Sequence, residues 1–294
     1  MPVEPPFGRL LTAMVTPFTR DGELDLDGAA KLAMYLVDQL GHDGLVISGT
    51  AGESPTTTDE EKAELLSAVV DAVGDRASVI AGVGTFDTRH TLELAGQAQS
   101  LGADALMVVT PYYSKPPQAG LLNHFTAVAD ASDVPVMVYD IPHRAGVAIA
   151  TETLLQLAEH PRIVAVKDAK GDLVATAEVI ARTDLAYYSG DDPITLPLLS
   201  VGAVGIVGTS THFSGLAAKA MIEAYLRGDV DTALQLHQQL LPIFTGIFAT
   251  SGVILVKAGL ELQGRSAGGV RAPLLPATEA ETRALAACLA AAGL

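Results

Sequence analysis

Lys167 closes the apolar run Ile163-Val164-Ala165-Val166-Lys167, and strand alternation puts its side chain on the face shared by Ile163 and Ala165. An exposed lysine, with a pKa of about 10.4, is protonated at neutral pH and cannot attack a carbonyl. Desolvation inside a core depresses that pKa and supplies the neutral amine that Schiff-base chemistry requires. The residue could equally be an ordinary strand-end lysine paired with Asp168, and taken alone it leaves both readings open. Lys170, beside Gly171 and Asp172, is expected to be solvated.

Other strand ends offer groups that suit the same chemistry. Tyr139 lies in Val136-Met137-Val138-Tyr139-Asp140-Ile141-Pro142, where a phenol could move protons during imine formation and breakdown. Thr110-Pro111-Tyr112-Tyr113 adds two more phenols. Ser48-Gly49-Thr50-Ala51-Gly52-Glu53-Ser54 brings glycines flanking Thr50 and Ala51, whose backbone N–H groups could cradle a carboxylate while the Thr50 hydroxyl relays a proton. The fork of Arg144 could clamp a second carboxylate with two parallel hydrogen bonds. Ser189-Gly190-Asp191-Asp192 and Gly205-Ile206-Val207-Gly208 could approach a ligand through backbone. Each segment also has a plain reading, as a packed aromatic, a loop or a surface arginine.

Several chemistries lack their parts. The seven histidines form no short-spaced ligand pair, so no metal site is expected. Gly82-Val83-Gly84 lacks the third glycine of a dinucleotide fingerprint. There is no Gly-Lys-Ser/Thr phosphate loop and no Gly-x-Ser-x-Gly elbow. These gaps favour chemistry without a cofactor.

The elements that must position these groups are short apolar, β-branched runs: 10–17, 45–49, 79–84, 105–111, 136–142, 163–167, 186–190 and 204–208. Helical periodicity separates most of them, as in Asp27 to Leu40, with apolar residues at threes and fours. Eight strands alternating with helices predict an α/β fold, parallel βαβ units closed into a TIM (β/α)8 barrel, an open doubly wound sheet being the lesser alternative. Such barrels carry chemistry at the C-terminal ends of their strands, where the groups above fall. After the last strand only helical patterns remain, near 216–226, 229–248, 253–260 and 278–292. The expected division is a barrel over 1–228 and a C-terminal helical extension over 229–294, packed on the barrel without a flexible linker. A 294-residue chain that is 49% hydrophobic can bury one such core. Its formal charge of −16 disfavours nucleic acid and anionic bilayers. No apolar run approaches the roughly 20 residues of a membrane span. One cysteine and no signal-like start lead to the expectation of a cytoplasmic protein.

Taken together, Gly49-Thr50-Ala51-Gly52-Glu53-Ser54, Thr110-Pro111-Tyr112-Tyr113, Tyr139-Asp140-Ile141-Pro142-His143-Arg144, Val166-Lys167-Asp168 and Ser189-Gly190-Asp191-Asp192 resemble the dihydrodipicolinate synthase family, pyruvate-dependent Schiff-base aldolases, over nearly the whole chain. The resemblance implies that Lys167 forms the imine with pyruvate and Tyr139 donates protons. It implies that Thr50 links Tyr139 to Tyr113, the latter supplied by a neighbouring subunit. Ala51 and Thr50 would hold the pyruvate carboxylate on their backbone, Gly190 and Val207 would line the pocket, and Arg144 would hold the carboxylate of aspartate semialdehyde. A homotetramer built from two tight dimers is the implied assembly, and Arg144 argues against sialic-acid-type lyases. A different 2-oxo acid or aldehyde, or a catalytically silent paralogue that binds a 2-oxo acid, are the alternatives.

This chain also departs from the family pattern. Phe86, His90 and Asp59 match poorly the asparagine, glutamate and histidine that bind lysine in some relatives, which implies insensitivity to lysine. His143 and Ala145 flank Arg144 where small residues and a serine or threonine are commoner. Ala51 replaces a usual second threonine, removing a hydroxyl from the pyruvate carboxylate. One hydrogen bond to a charged group is worth about 1.5–3 kcal/mol, so Ala51→Thr is expected to tighten pyruvate affinity by about one to two orders of magnitude, as measured by equilibrium binding.

Overall fold

In the computed structural model of the protein, residues 3–294 are described; the first two residues of the expected barrel segment lie outside them. Eight strands form: β1 (Leu10–Ala13), β2 (Gly44–Ile47), β3 (Ser78–Gly82), β4 (Ala105–Val109), β5 (Val136–Asp140), β6 (Ile163–Asp168), β7 (Ala186–Ser189) and β8 (Gly205–Gly208). They pair in parallel and in sequence order, and β8 closes on β1 through Leu11↔Val207. Strands covered on both faces read as continuous apolar runs rather than alternating ones, which is why their positions stood out in the sequence. The first run was expected to reach Pro17, but the strand stops at Ala13. Met14 N–H still reaches the carbonyl of Val46 at 3.0 Å, whereas Val15 N–H turns to the ring Nε2 of His212 at 3.2 Å.

Around the barrel run α1 (Leu26–Met34), α2 (Asp59–Val73), α3 (Thr88–Ser100), α4 (Gln118–Asp130), α5 (Pro142–Ala145), α6 (Thr151–Leu157), α7 (Leu173–Arg182), α8 (Thr195–Ser200) and α9 (Thr211–Leu226). Starts follow capping chemistry. Asp25 accepts Gly28 N–H ahead of α1, and Thr58 with Glu61 forms a reciprocal capping box on α2. The stretch expected as one helix to Leu40 changes to a wider π turn over Tyr35–Gln39. Two helices escape periodicity because they are too short to show it. These are α5, a single turn opened by Pro142, and α8, packed between β7 and β8. The segment expected as a helix from Leu216 begins earlier, at Thr211, because its first turn is polar yet buried.

The last three helices, α10 (Val230–Gly246), α11 (Gly252–Leu262) and α12 (Glu279–Ala292), pack on α9 and on one another. The carboxyl end of α10 and the turn into α11 also reach over the strand ends, where Phe244, Thr245, Phe248 and Ser251 line a chamber. A buried ion pair fastens them there. Lys257 of α11 donates to Glu53 Oε1 at 2.7 Å, both side chains being almost fully enclosed. Glu53 Oε2 accepts Arg271 N–H at 2.8 Å, and the Arg271 guanidinium engages both Glu61 oxygens and the carbonyls of Gly22 and Thr56 while lying 4.2 Å from the Phe18 ring centre.

Removing one partner of a buried ion pair strands the other without water. Lys257→Met is therefore expected to destabilise the fold by about 3–5 kcal/mol, visible as a lowered denaturant midpoint.

Candidate active site at the carboxyl ends of the strands

Tyr139 and Lys167 are register partners on β5 and β6, so their side chains project to the same side, into the barrel mouth. The Lys167 Nζ sits 4.2 Å from the centre of the Tyr139 ring. Asp168, one residue on, faces the opposite way and takes the hydroxyl of Thr176 and the N–H of Lys170. That opposite orientation removes the alternative in which Lys167 pairs with Asp168. Lys167 is 4% exposed and makes no hydrogen bond or ion pair among the described residues. Burial draws its pKa down to about 8, with Asp192 acting to raise it and Arg144 to lower it further. Burial pushes the Tyr139 phenol the other way, upward, partly offset by Arg144 and by the Thr50 hydroxyl. At neutral pH the site thus combines a lysine of which about one-tenth is free amine with a phenol that keeps its proton.

The turn after β2 carries Thr50 and Ala51 to the same mouth. Gly52 N–H and Ser54 N–H fold back onto the Gly49 carbonyl at 3.1 and 3.4 Å, and Thr16 Oγ1 donates to the Gly52 carbonyl at 2.6 Å. The backbone N–H groups of Thr50 and Ala51 donate to no protein group among the described residues, which leaves two adjacent donors free for an anion. Ala51 itself is buried and Thr50 exposed.

Two chambers share Thr50, Tyr139, Ile141 and Arg144. One, of about 460 Å³, holds Lys167, Ala51, Gly190, Asp191 and His143 beneath the α10 and α11 roof. The other, of about 220 Å³, is more apolar and is lined by Met107, Val109, Tyr112 and Pro55. Arg144, on the single turn of α5, forms no ion pair among the described residues and faces both. At Gly190 a Cβ would lie 2.9 Å from Lys167 Cγ and 3.2 Å from the Ala169 Cβ, so only glycine lets the loop after β7 run against the lysine stem.

Not every expected residue converges. Val207 is buried on β8 and lines neither chamber. Tyr113 also lines neither. Its side chain is 93% exposed on a left-handed backbone with φ of 69°. Lys170, expected to be solvated, is instead mostly enclosed at 13% side-chain exposure; its Nζ lies 3.7 Å from Asp140 Oδ2 and 3.4 Å from the Ile149 carbonyl. Asp140, buried behind Tyr139, is pushed up to about 6 by desolvation, and this carboxylate draws the lysine inward. At the positions matched to a lysine site, His90 Nε2 lies 2.8 Å from Asp59 Oδ2, and Phe86 packs edge-on against Tyr112. Among the described residues no cluster of three His, Cys, Asp or Glu could hold a metal, and no helix is long and apolar enough to cross a membrane.

Sequence reasoning missed the roof residues of α10, the Glu53–Lys257 pair and Asp192. For the first two no local signal exists. Asp192 did stand in a quoted motif, but its burial under the amino end of α9 was invisible there.

The profile of the dihydrodipicolinate synthetase family matches residues 6–292. The chain belongs to that family. Within it, the chain is 69% identical to the 4-hydroxy-tetrahydrodipicolinate synthase of Acidothermus cellulolyticus, over 98% of this chain and 93% of the relative. It is 61% identical to 4-hydroxy-tetrahydrodipicolinate synthase 2 of Streptomyces coelicolor, over 98% and 96%. Among solved structures, dihydrodipicolinate synthase from Bacillus anthracis superposes with a TM-score of 0.94 at 43% identity, covering 97% of this chain and 98% of the other. The closed eight-stranded barrel is thus that of the dihydrodipicolinate synthetase family, whose relatives share it over their full length.

A lysine with pKa near 8 is about one-tenth free amine at pH 7. Because the neutral form is the nucleophile, the rate of imine formation with pyruvate should fall tenfold per pH unit well below 8 and level off above it, measured by stopped-flow absorbance or borohydride quench. A flat profile from pH 6 to 9 would contradict the assignment of Lys167 as the attacking amine.

Proposed function

We propose that this protein is a 4-hydroxy-tetrahydrodipicolinate synthase, a class I aldolase-type lyase that joins pyruvate to aspartate semialdehyde through an imine on Lys167. The observation that carries this reading is an enclosed, unpaired lysine with a depressed pKa, in register with a protonated phenol at the mouth of this family's barrel.

The Lys167 amine attacks C2 of pyruvate, whose carboxylate rests on the free N–H groups of Thr50 and Ala51. The oxygen leaves as water with a proton from Tyr139, giving the cationic iminium. Loss of a C3 proton to the phenolate gives the enamine. Its C3 then attacks the aldehyde carbon of aspartate semialdehyde, held by its carboxylate on Arg144, and the new alkoxide takes the proton back. The substrate amine finally adds to the iminium carbon and expels Lys167, closing the ring. Gly190 lets the loop sit against the lysine, and Val207 supports the pocket from β8.

The same reading gives Tyr113 its task. An exposed phenol on a strained backbone belongs to a neighbouring copy's relay through Thr50, so the working unit is a dimer, and a tetramer is a pair of such dimers. The barrel segment 1–228 carries the reacting groups and the extension 229–294 roofs them. The enzyme works in the cytoplasm with no cofactor.

Borohydride reduction in the presence of pyruvate is expected to add the reduced pyruvate mass to the peptide containing Lys167, and Lys167→Ala to abolish the adduct. Coupled turnover with aspartate semialdehyde should follow on the same preparation. An adduct without turnover would redirect the search to another aldehyde, a reading that His143 facing Asp191 in the larger chamber would then explain. No adduct would sink the mechanism.

A further inference from the structure

Two charged residues beside the reacting groups have no part in the chemistry above. Asp140 follows Tyr139 on β5, and Lys170 lies just beyond Lys167. Asp140 pairs in register with Asp168, so both carboxylates lie on the side of the sheet away from Tyr139 and Lys167. Asp140 Oδ1 accepts Ile149 N–H at 3.3 Å, which closes the loop 141–148 at its base. Asp140 Oδ2 is buried and accepts no hydrogen bond among the described residues, and Lys170 Nζ stands 3.7 Å from it. The same Nζ donates to the Ile149 carbonyl at 3.4 Å, so one ammonium holds both edges of the closure. Lys170 is in turn anchored to the end of β6. Its N–H donates to Asp168 Oδ1 at 2.8 Å, while the other Asp168 oxygen takes the Thr176 hydroxyl.

The closed loop carries Arg144. Its N–H donates to the Ile141 carbonyl at 3.0 Å, and its guanidinium, free of any ion pair among the described residues, lines both chambers. No ion pair of its own therefore fixes it relative to Lys167. On the outer side, Gln118 donates to the Ala148 carbonyl and accepts Ala150 N–H, both at 2.9 Å, which ties the loop to α4. Lys170 is the side chain that ties it to the β6 segment bearing the nucleophile. We propose that Lys170, through Asp140 and Ile149, sets the position of Arg144 relative to Lys167, and so how firmly the second substrate's carboxylate is held while its aldehyde meets the enamine. Lys170 acts through Arg144 and is a positioning residue. Without it the buried Asp140 carboxylate loses its counter-charge, and opening the loop to water is the way to solvate it. The inference rests on Arg144 as the anchor of the second substrate. Imine formation uses Lys167, Tyr139 and the Thr50–Ala51 turn, none of which lies in the loop.

The experiment compares the wild type with Lys170→Met and Lys170→Arg by steady-state kinetics for each substrate, borohydride trapping of pyruvate, and amide hydrogen exchange of peptides spanning 141–150 in the unliganded protein. In Lys170→Met, KM for aspartate semialdehyde is expected to rise about tenfold, the effect of one lost hydrogen bond to a charged group, while KM for pyruvate and the trapped adduct stay within about twofold. Amides of 141–150 are expected to exchange about tenfold faster. Lys170→Arg keeps the charge and the donors and should recover most of both effects. A merely structural residue would shift both KM values and the adduct together, and that result overturns the proposal. So does unchanged exchange across 141–150, or faster exchange with an unchanged KM for aspartate semialdehyde. If Lys170→Met does not fold, Lys170→Met combined with Asp140→Asn strands no charge yet still lacks the link to β6, and KM is expected to move in the same sense. A wild type that traps pyruvate without turning over aspartate semialdehyde defeats the aldehyde named above, and the exchange then decides the closure by itself.

Discussion

Much of this molecule depends on one buried carboxylate. Glu53 has a left-handed backbone, as does Ser48 at the other end of the same turn, and strain of this kind costs on the order of 1–3 kcal/mol per residue. Such a turn persists only where its surroundings determine it. Both Glu53 oxygens are engaged, one by Lys257 and one by the amide of Arg271, so the turn presenting Thr50 and Ala51 is held by residues more than 200 positions away. The C-terminal helices are therefore part of the site. They fix the Thr50–Ala51 turn from behind and roof the chamber from above through α10.

Parallel strands covered on both faces left apolar runs that located all eight strands, and alternation along 163–167 put Lys167 on the face shared by Ile163 and Ala165. What periodicity could not see were features made by distant pairs or by very short elements. Nothing local in Lys257 or Glu53 announces their contact. The single turn of α5 gives no repeat to detect, although it sets the position of Arg144. Lys170 sits among Gly and Asp residues that look solvated, yet the buried Asp140 carboxylate, on a neighbouring strand, decides its place. Tyr113 is the converse: its motif was plain, yet its phenol is 93% exposed on a left-handed backbone, away from both chambers.

Two of the departures expected from the sequence, Ala51 and His143, lie on the larger chamber. Ala51 keeps its free backbone N–H while giving up a hydroxyl, and His143 adds an imidazole opposite Asp191. The parts that fasten the turn and orient Lys167 are undisturbed by either change.

Enclosure acts on Lys167 and Tyr139 in opposite senses, and this is the economy of the site. Removing water penalises whichever form carries charge: ammonium for the lysine, phenolate for the tyrosine. The same desolvation that lowers the amine to about 8 raises the phenol, so the phenol keeps its proton while about one-tenth of the lysine is free to attack at pH 7. Neither state needs a cofactor or a metal to produce it. It does require that the cation formed later be tolerated in the same dry space. A site that burial alone had optimised for the free amine would resist the iminium, and the face of the Tyr139 ring, 4.2 Å from the Lys167 nitrogen, favours that cation without bringing a charge of its own.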